Sequence, residues 1–312
     1  MTNFIVIFTC LLAGIFCKKI KQFPHQTPQA FNAFIIYLSL PALVLTQMTK
    51  LLLTLDLNSN WWMPVSMSWI SLGLSFLIFS TLGKKLGWKN TKIGALILTV
   101  GLGNTSFVGF PLLEALIGKE ALSIGVLVDQ PGSFLALSTI GIFIAAFYSG
   151  AKITASFIAR RVLLFPPFIA LVISVLWYFL IGRSSPQSLD GIFPALEKIA
   201  STLVPLALFS VGFQLQFDMA VFRRRWAPLA FGLMLKLVIF PLFFMFLYMK
   251  VLGSYDYVTH IIVLESAMAT MITAAVVANE FHLDSELANL MVGLGIPISL
   301  FTVPLWHYLL GL

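Results

Sequence analysis

Charge is scarce in this sequence. Of 312 residues only 10% are Asp, Glu, Lys or Arg, while 59% are hydrophobic. An ordinary soluble domain has about 25% charged and about 45–50% apolar residues. A soluble fold of this length could not bury so much apolar surface, whereas a bilayer accepts it on the outside of the protein. The mean hydropathy of +0.98 agrees. Cysteine is scarcer still: Cys10 and Cys17 share one apolar run. On a helix their Cα atoms stand roughly 10 Å apart, too far for a disulfide. The histidines, His25, His260, His282 and His307, have no metal-ligand spacing. No nucleotide-binding P-loop occurs, so ATP is not a direct energy source. No His-Glu-x-x-His, Gly-x-Ser-x-Gly or paired-aspartate pattern occurs either, and an intramembrane enzyme is excluded with them.

What is there is long apolar runs. Ten are present, at 3–17, 30–49, 61–83, 93–117, 121–149, 162–181, 196–216, 227–249, 257–279 and 287–310. Most approach the roughly 20 residues that cross a hydrocarbon core. The first begins almost at once, with basic residues after it rather than before it, which predicts a retained span rather than a cleaved signal. The net charge of +7 is membrane topology, not a nucleic-acid surface. Lys18, Lys19, Lys21, Lys84, Lys85, Lys89, Lys92, Lys152, Arg160, Arg161, Arg223, Arg224 and Arg225 fall in alternate loops. The other side has only Lys50, Lys119, Arg183 and Lys250. Lys/Arg excess marks the cytoplasm, so the count predicts both termini on the non-cytoplasmic side of a cell (inner) membrane. The loop after span nine breaks the pattern with Glu280, Asp284 and Glu286. Trp61, Trp62 and Trp226 open spans, as interfacial tryptophans do; Trp69 reads as a packing residue.

The chain also repeats itself. Pro41 in span two and Pro205 in span seven are 164 residues apart in similar contexts. The same offset carries Thr105 in span four onto Ala269 in span nine. Span four reads Gly101-Leu102-Gly103-Asn104-Thr105-Ser106-Phe107-Val108-Gly109-Phe110-Pro111, and span nine reads Glu265-Ser266-Ala267-Met268-Ala269-Thr270-Met271. Both are small and polar near mid-membrane. Backbone opened in lipid costs several kcal/mol per unsatisfied group, so such stretches line a cavity or are buried in protein. The competing reading is that small residues only let helices pack closely. Five spans in each half, 1–149 and 162–312, predict two repeats inserted in opposite senses. The expected fold is therefore an all-α polytopic membrane protein of ten helices, with spans four and nine broken and crossed. Matched interruptions of this kind point to a transporter site.

At these residues the chain resembles the auxin efflux carrier family. The motif Gly-Asn-Thr-x-Phe-x-Gly-x-Pro stands at Gly103–Pro111, and Pro-Leu-Ala-Leu-x-Ser-x-Gly-x-x-Leu at Pro205–Leu215. Lys-Leu-x-x-x-Pro stands at Lys236–Pro241, and a looser terminal motif at Leu300–Trp306. The resemblance implies the bile-acid/sodium symporter type of fold, with a scaffold of spans one, two, six and seven and a transport bundle of spans three to five and eight to ten. It also implies organic-anion substrates such as carboxylates. Where that family often has Met-Pro, this chain has Met268-Ala269, which predicts a blunter second break.

Ionisable groups inside a membrane are costly and are functional candidates. Asp129 and Glu265 each lie about nine residues into their spans, about 13 Å deep. Either could bind Na⁺ together with oxygens near Asn104, or carry a proton; either could instead pair with a lysine. Lys236 is about 15 Å deep, too deep to snorkel along lipid, so it faces an acid or an anionic substrate. Asn104, Thr105, Ser106, Met268 and Thr270 complete the candidate site. Glu114 and the Glu197-Lys198 pair read as interfacial. The function expected is secondary transport or uniport of a small organic anion, with no cofactor beyond Na⁺ or H⁺ as coupling ion. A channel or receptor on the same fold is the competing class. A homodimer is an allowed assembly.

Overall fold

The computed structural model describes residues 2–54, 61–181, 191–215 and 219–311. Arg183 and the final residue of the seventh apolar run lie outside them. Thirteen helical rods occupy the described residues. They are α1 (Thr2–Cys17), α2 (Thr27–Leu53), α3 (Trp62–Lys85), α4 (Asn90–Gly101), α5 (Thr105–Leu116), α6 (Ala121–Ser149), α7 (Ala155–Leu163), α8 (Pro166–Ile181), α9 (Ile192–Gln214), α10 (Met219–Val251), α11 (Tyr257–Ser266), α12 (Ile272–Glu280) and α13 (Ser285–Leu309). Among the described residues there is no strand beyond one isolated β-bridge.

Each expected apolar run coincides with one rod or with a consecutive pair. By length and apolarity alone, six rods can cross a bilayer: α2, α3, α6, α9, α10 and α13. A seventh is added when α7 and α8, bent by 69°, count together. The chain is thus an integral, multi-pass membrane protein. Its outward faces are apolar, as lipid contact requires: Phe179, Leu180 and Phe301 are largely exposed.

One feature differs from the sequence expectation. The stretch read as a loop after span five contains α7. Thr154 caps it by accepting the Phe157 N–H, and Arg160 and Arg161 occupy its last turn, where cations suit the helix dipole. Pro166 and Pro167 then start α8 in a new direction, since the residue before a proline is pushed out of helical conformation. The acidic loop after span nine also has a partner for each of its charges. Arg161 reaches Glu280 at 3.1 Å, Arg225 reaches Asp284 at 3.2 Å, and Arg224 pairs with Glu286. The exceptional loop therefore sits on the same face as the basic loops and is neutralised by them. We call this the basic face.

The apolar interior falls into three clusters. The largest joins α3, α4, α6, α10, α12 and α13. A second joins α2, α8 and α9 with part of α6. The third lies around the middle of α1, α5, α11 and α13. α1 and α9 pack closest of all, because glycines meet there. A Cβ at Gly14 would fall 2.2 Å from the Phe209 carbonyl oxygen, and one at Gly212 would fall 2.1 Å from that of Leu11.

Several helices carry wide π turns, at Ile35–Ser39, Thr105–Gly109, Val128–Phe134, Leu137–Gly141, Leu235–Ile239 and Phe246–Val251. The Val128–Phe134 turn has an evident cause. Pro131 has no N–H to donate and its ring pushes on the preceding turn. Trp69, expected only to pack, donates its indole N–H to the Pro131 carbonyl at 3.0 Å. Trp306 does the same for the Leu237 carbonyl, at 2.9 Å.

Candidate functional site

α4 and α5 are one span interrupted at Leu102–Asn104, and α11 and α12 are one span interrupted at Ala267–Met271. The two interruptions lie against each other. Asn104 donates its N–H to the Ala269 carbonyl at 2.7 Å, and Met271 donates to the Leu102 carbonyl at 3.1 Å. Gly103 and Thr270 form the antiparallel bridge between them. Thr270 also donates its hydroxyl to the Thr99 carbonyl at 2.8 Å. The opened backbone thus satisfies itself across the crossing, as it must where water is absent. The second break forms without a proline.

Side chains from four helices converge on this crossing. Asn104 caps α5, its Oδ1 accepting the Phe107 N–H at 3.1 Å. Thr105 opens the π turn of α5 and donates to Asp129 Oδ1 at 2.6 Å. Gln130 donates to Asp129 Oδ2 at 2.6 Å. Ser133 extends the network: it lies 3.2 Å from the Thr105 hydroxyl and 2.8 Å from that of Ser68. Ser106 lies beside Asp129. Asp129 is thus a fully hydrogen-bonded buried acid.

Glu265 is its opposite. It lies in the last turn of α11, is fully buried, and neither carboxylate oxygen has a hydrogen-bond partner. The carboxylate faces Gly109 of α5, where a Cβ would sit 2.8 Å from Oε2. Lys236 comes from the π turn of α10 and is 1% exposed. Its ammonium lies against the first break, 3.2 Å from where a Gly103 Cβ would be. Among the described residues it makes no ion pair within 4.0 Å of either acid. It is nonetheless close enough to Glu265 for direct charge interaction, as Glu265 is to Asp129. Two more buried atoms lack partners here, Asn104 Nδ2 and Gln130 Oε1. Such orphans are rare in a finished interior and mark a place for a ligand, ion or water.

All eight candidate residues therefore gather at the crossing, in different capacities. Thr270 and Met268 belong to the backbone of the second break. Thr105, Ser106 and Asn104 belong to the first. Asp129, Lys236 and Glu265 supply the charge. Sequence reading missed Gln130, Ser133 and Ser68; the adjacency of Gln130 to Asp129 was the one available signal.

Two cavities approach from opposite faces. The larger, about 890 Å³, is walled by Phe110, Pro111 and Glu114 of α5 together with Thr46, Gln47 and Tyr257. Glu114, expected to be only interfacial, is part of that wall. The smaller, about 380 Å³, opens on the basic face beside Ile272 and Ala275 of α12. Among the described residues no three His, Cys, Asp or Glu side chains gather as a metal site. Oxygen ligands alone, which suit a hard cation, are present as the orphaned oxygens of Glu265 and Gln130.

Comparison with known proteins follows the same line. The family described as membrane transport protein matches residues 1–307. An uncharacterized transporter of Methanocaldococcus jannaschii is 23% identical over 98% of this chain and 97% of its own length. An uncharacterized transporter of Methanothermobacter thermautotrophicus is 25% identical over 97% of this chain and 96% of its own. A probable auxin efflux carrier component of Oryza sativa subsp. japonica is 27% identical over 49% of this chain and 36% of its own length.

Proposed function

Because the chain belongs to the membrane transport protein family, that of the auxin efflux carriers, we propose that it moves a small organic anion by alternating access. The observation that carries this reading is the meeting of two buried acids and a buried lysine at two mutually paired helix breaks. Broken helices at matching places in two halves are the usual construction of a secondary-transporter site.

In this reading there are ten crossings. Length accounts for six or seven; α1 and the two broken pairs, each spanning as a unit, complete the number. Five crossings per half make the halves, 1–149 and 162–312, an inverted repeat. Spans one, two, six and seven form the scaffold, and the crossing rides in the other six. The basic face is cytoplasmic, with both termini opposite, in the cell membrane.

Charge arithmetic supports coupling to a cation. With all three groups ionised, Asp129, Lys236 and Glu265 carry one negative charge in excess. Asp129 has its donors, so Glu265, with none, is the group that a Na⁺ or a proton would neutralise. Lys236 and Asn104 Nδ2 are then the donors for a carboxylate substrate.

The test is counterflow in proteoliposomes against a panel of carboxylates, with and without Na⁺ and a pH gradient. A carrier gives counterflow and a channel does not. Glu265→Gln should abolish coupled uptake while the protein still purifies as a folded species. Undiminished, still-coupled uptake in that variant would remove Glu265 from the coupling role.

A further inference from the structure

We propose that the smaller cavity, on the basic face, is a distinct loading site for a small organic anion rich in oxygen acceptors. This rests on the transport reading above and adds a second site, separate from the crossing. The cavity measures about 380 Å³, at the small end of ligand pockets, and its lining holds five carboxamide side chains, Lys18 and His25, with no acidic residue. The opposite cavity has Glu114, Glu120 and Glu197 against Lys50 and Lys119, and Lys50 is paired with Glu197. Of the two mouths, the basic one is the one an anion would enter.

Hydrogen-bond inventory then sharpens the ligand class. The Ser210 hydroxyl donates to Asn32 Oδ1 at 2.6 Å, which turns the oxygen of Asn32 toward Ser210 and its NH₂ away. Asn279 donates to Asn289 Oδ1 at 3.3 Å, which leaves the NH₂ of Asn289 in the same way. Lys18 spends one of its three protons on the Leu215 carbonyl at 3.0 Å. Gln214 donates to the Ser210 carbonyl at 3.1 Å and keeps its oxygen, as Asn279 keeps the oxygen of its own amide. The NH₂ groups of Asn32 and Asn289 and the Lys18 cation therefore stand against the oxygens of Gln214 and Asn279, with Gln29 adding one donor group and one acceptor. A ligand satisfying that set has several anionic or carbonyl oxygens. Asn32 and Gln214 come from α2 and α9, Asn279 and Asn289 from α12 and α13, so a bound anion would bridge helices on both sides of the cavity.

The experiment is calorimetric binding of succinate, citrate and the neutral isostere succinamide to the purified full chain in lipid nanodiscs. Succinate or citrate should bind and succinamide should not. Asn32→Asp keeps the acceptor for Ser210 but replaces a donor with a negative charge, and should weaken anion binding about tenfold or more. Lys18→Gln should weaken it as well, while Lys250→Gln, on the opposite face beside Tyr255, should leave it unchanged. An unaltered dissociation constant in a folded, monodisperse Asn32→Asp overturns the site, as does the absence of binding by either anion to the unmodified chain. Anion binding that Asn32→Asp removes, in a protein without counterflow, keeps the site and overturns the transport reading instead. Counterflow that persists with unchanged binding in Asn32→Asp does the reverse.

Discussion

The two helix breaks reach the same geometry from different sequences. The first has Gly101, Gly103, the cap Asn104 and, further on, Gly109 and Pro111. Its opening is written locally, in residues that tolerate or impose a departure from helix. The second has Ala267, Met268, Ala269, Thr270 and Met271, all of which could continue a helix. It opens because the first break presents a donor at Asn104 and an acceptor at Leu102, and because Thr270 finds the Thr99 carbonyl. One break is intrinsic and the other is induced by its partner. A proline is one way to open a helix, and a partner strand segment is another.

That contrast can be broken or sharpened by substitution. The largest effect is expected at Gly109, on the intrinsic side. Alanine there puts a Cβ 2.8 Å from Glu265 Oε2, and the carboxylate must move; displacement of a working group by about 1 Å can cost about 10²-fold in rate. Gly103→Ala presses less hard, 3.2 Å from the end of the flexible Lys236 side chain and in ordinary contact otherwise, and should cost less of the native uptake rate in proteoliposomes than Gly109→Ala. Equal losses in the two would refute a special place for the Gly109–Glu265 contact. Next in size is a pair of threonines. Thr105→Val strips Asp129 of its 2.6 Å donor and should lower uptake about tenfold, the cost of one hydrogen bond to a charge. Thr270→Val loses a bond to backbone only. It should lower thermal stability, by about 1 kcal/mol, with transport largely kept in the folded fraction. The smallest effect is expected from Ala269→Pro. Among the described residues the Ala269 N–H donates no hydrogen bond, so a proline removes none. Thermal melting within about 1 kcal/mol of native, with transport intact, fits an induced break already open at that point. Unfolding or loss of transport would mean that Ala269 needs a conformation a proline ring forbids.

Much of the site was legible in the sequence, because its signals are local and chemically costly. A buried Asp129, Glu265 or Lys236 stands out against an apolar background, and the glycines of span four announce an opening. What pairs with what was not legible. The neighbour Gln130 hints at how Asp129 is satisfied, but nothing local tells that Thr105, 24 residues away, completes it while Glu265 is left without donors. Trp69 looked like filler because its indole target is the Pro131 carbonyl, across a helix interface. The helix α7 was hidden because its charge reads as loop and its apolar residues lie partly exposed. The acidic loop after span nine broke the charge pattern because its charges answer arginines that are remote in sequence.

The π turns have a consequence in register. A π turn is an α turn holding one extra residue, and each residue advances a helix by about 100°. Thr105, Asp129 and Lys236 all sit in such turns. The rods before and after each of them are therefore out of phase by about one residue's rotation. Deleting a single residue from Val128–Phe134 would remove the extra residue of that turn and, in the same step, rotate Asp129 by about that angle relative to everything that follows it. The candidate site thus depends on spacing as well as on side chains: a change of length within these three turns would displace it even where every residue type is kept.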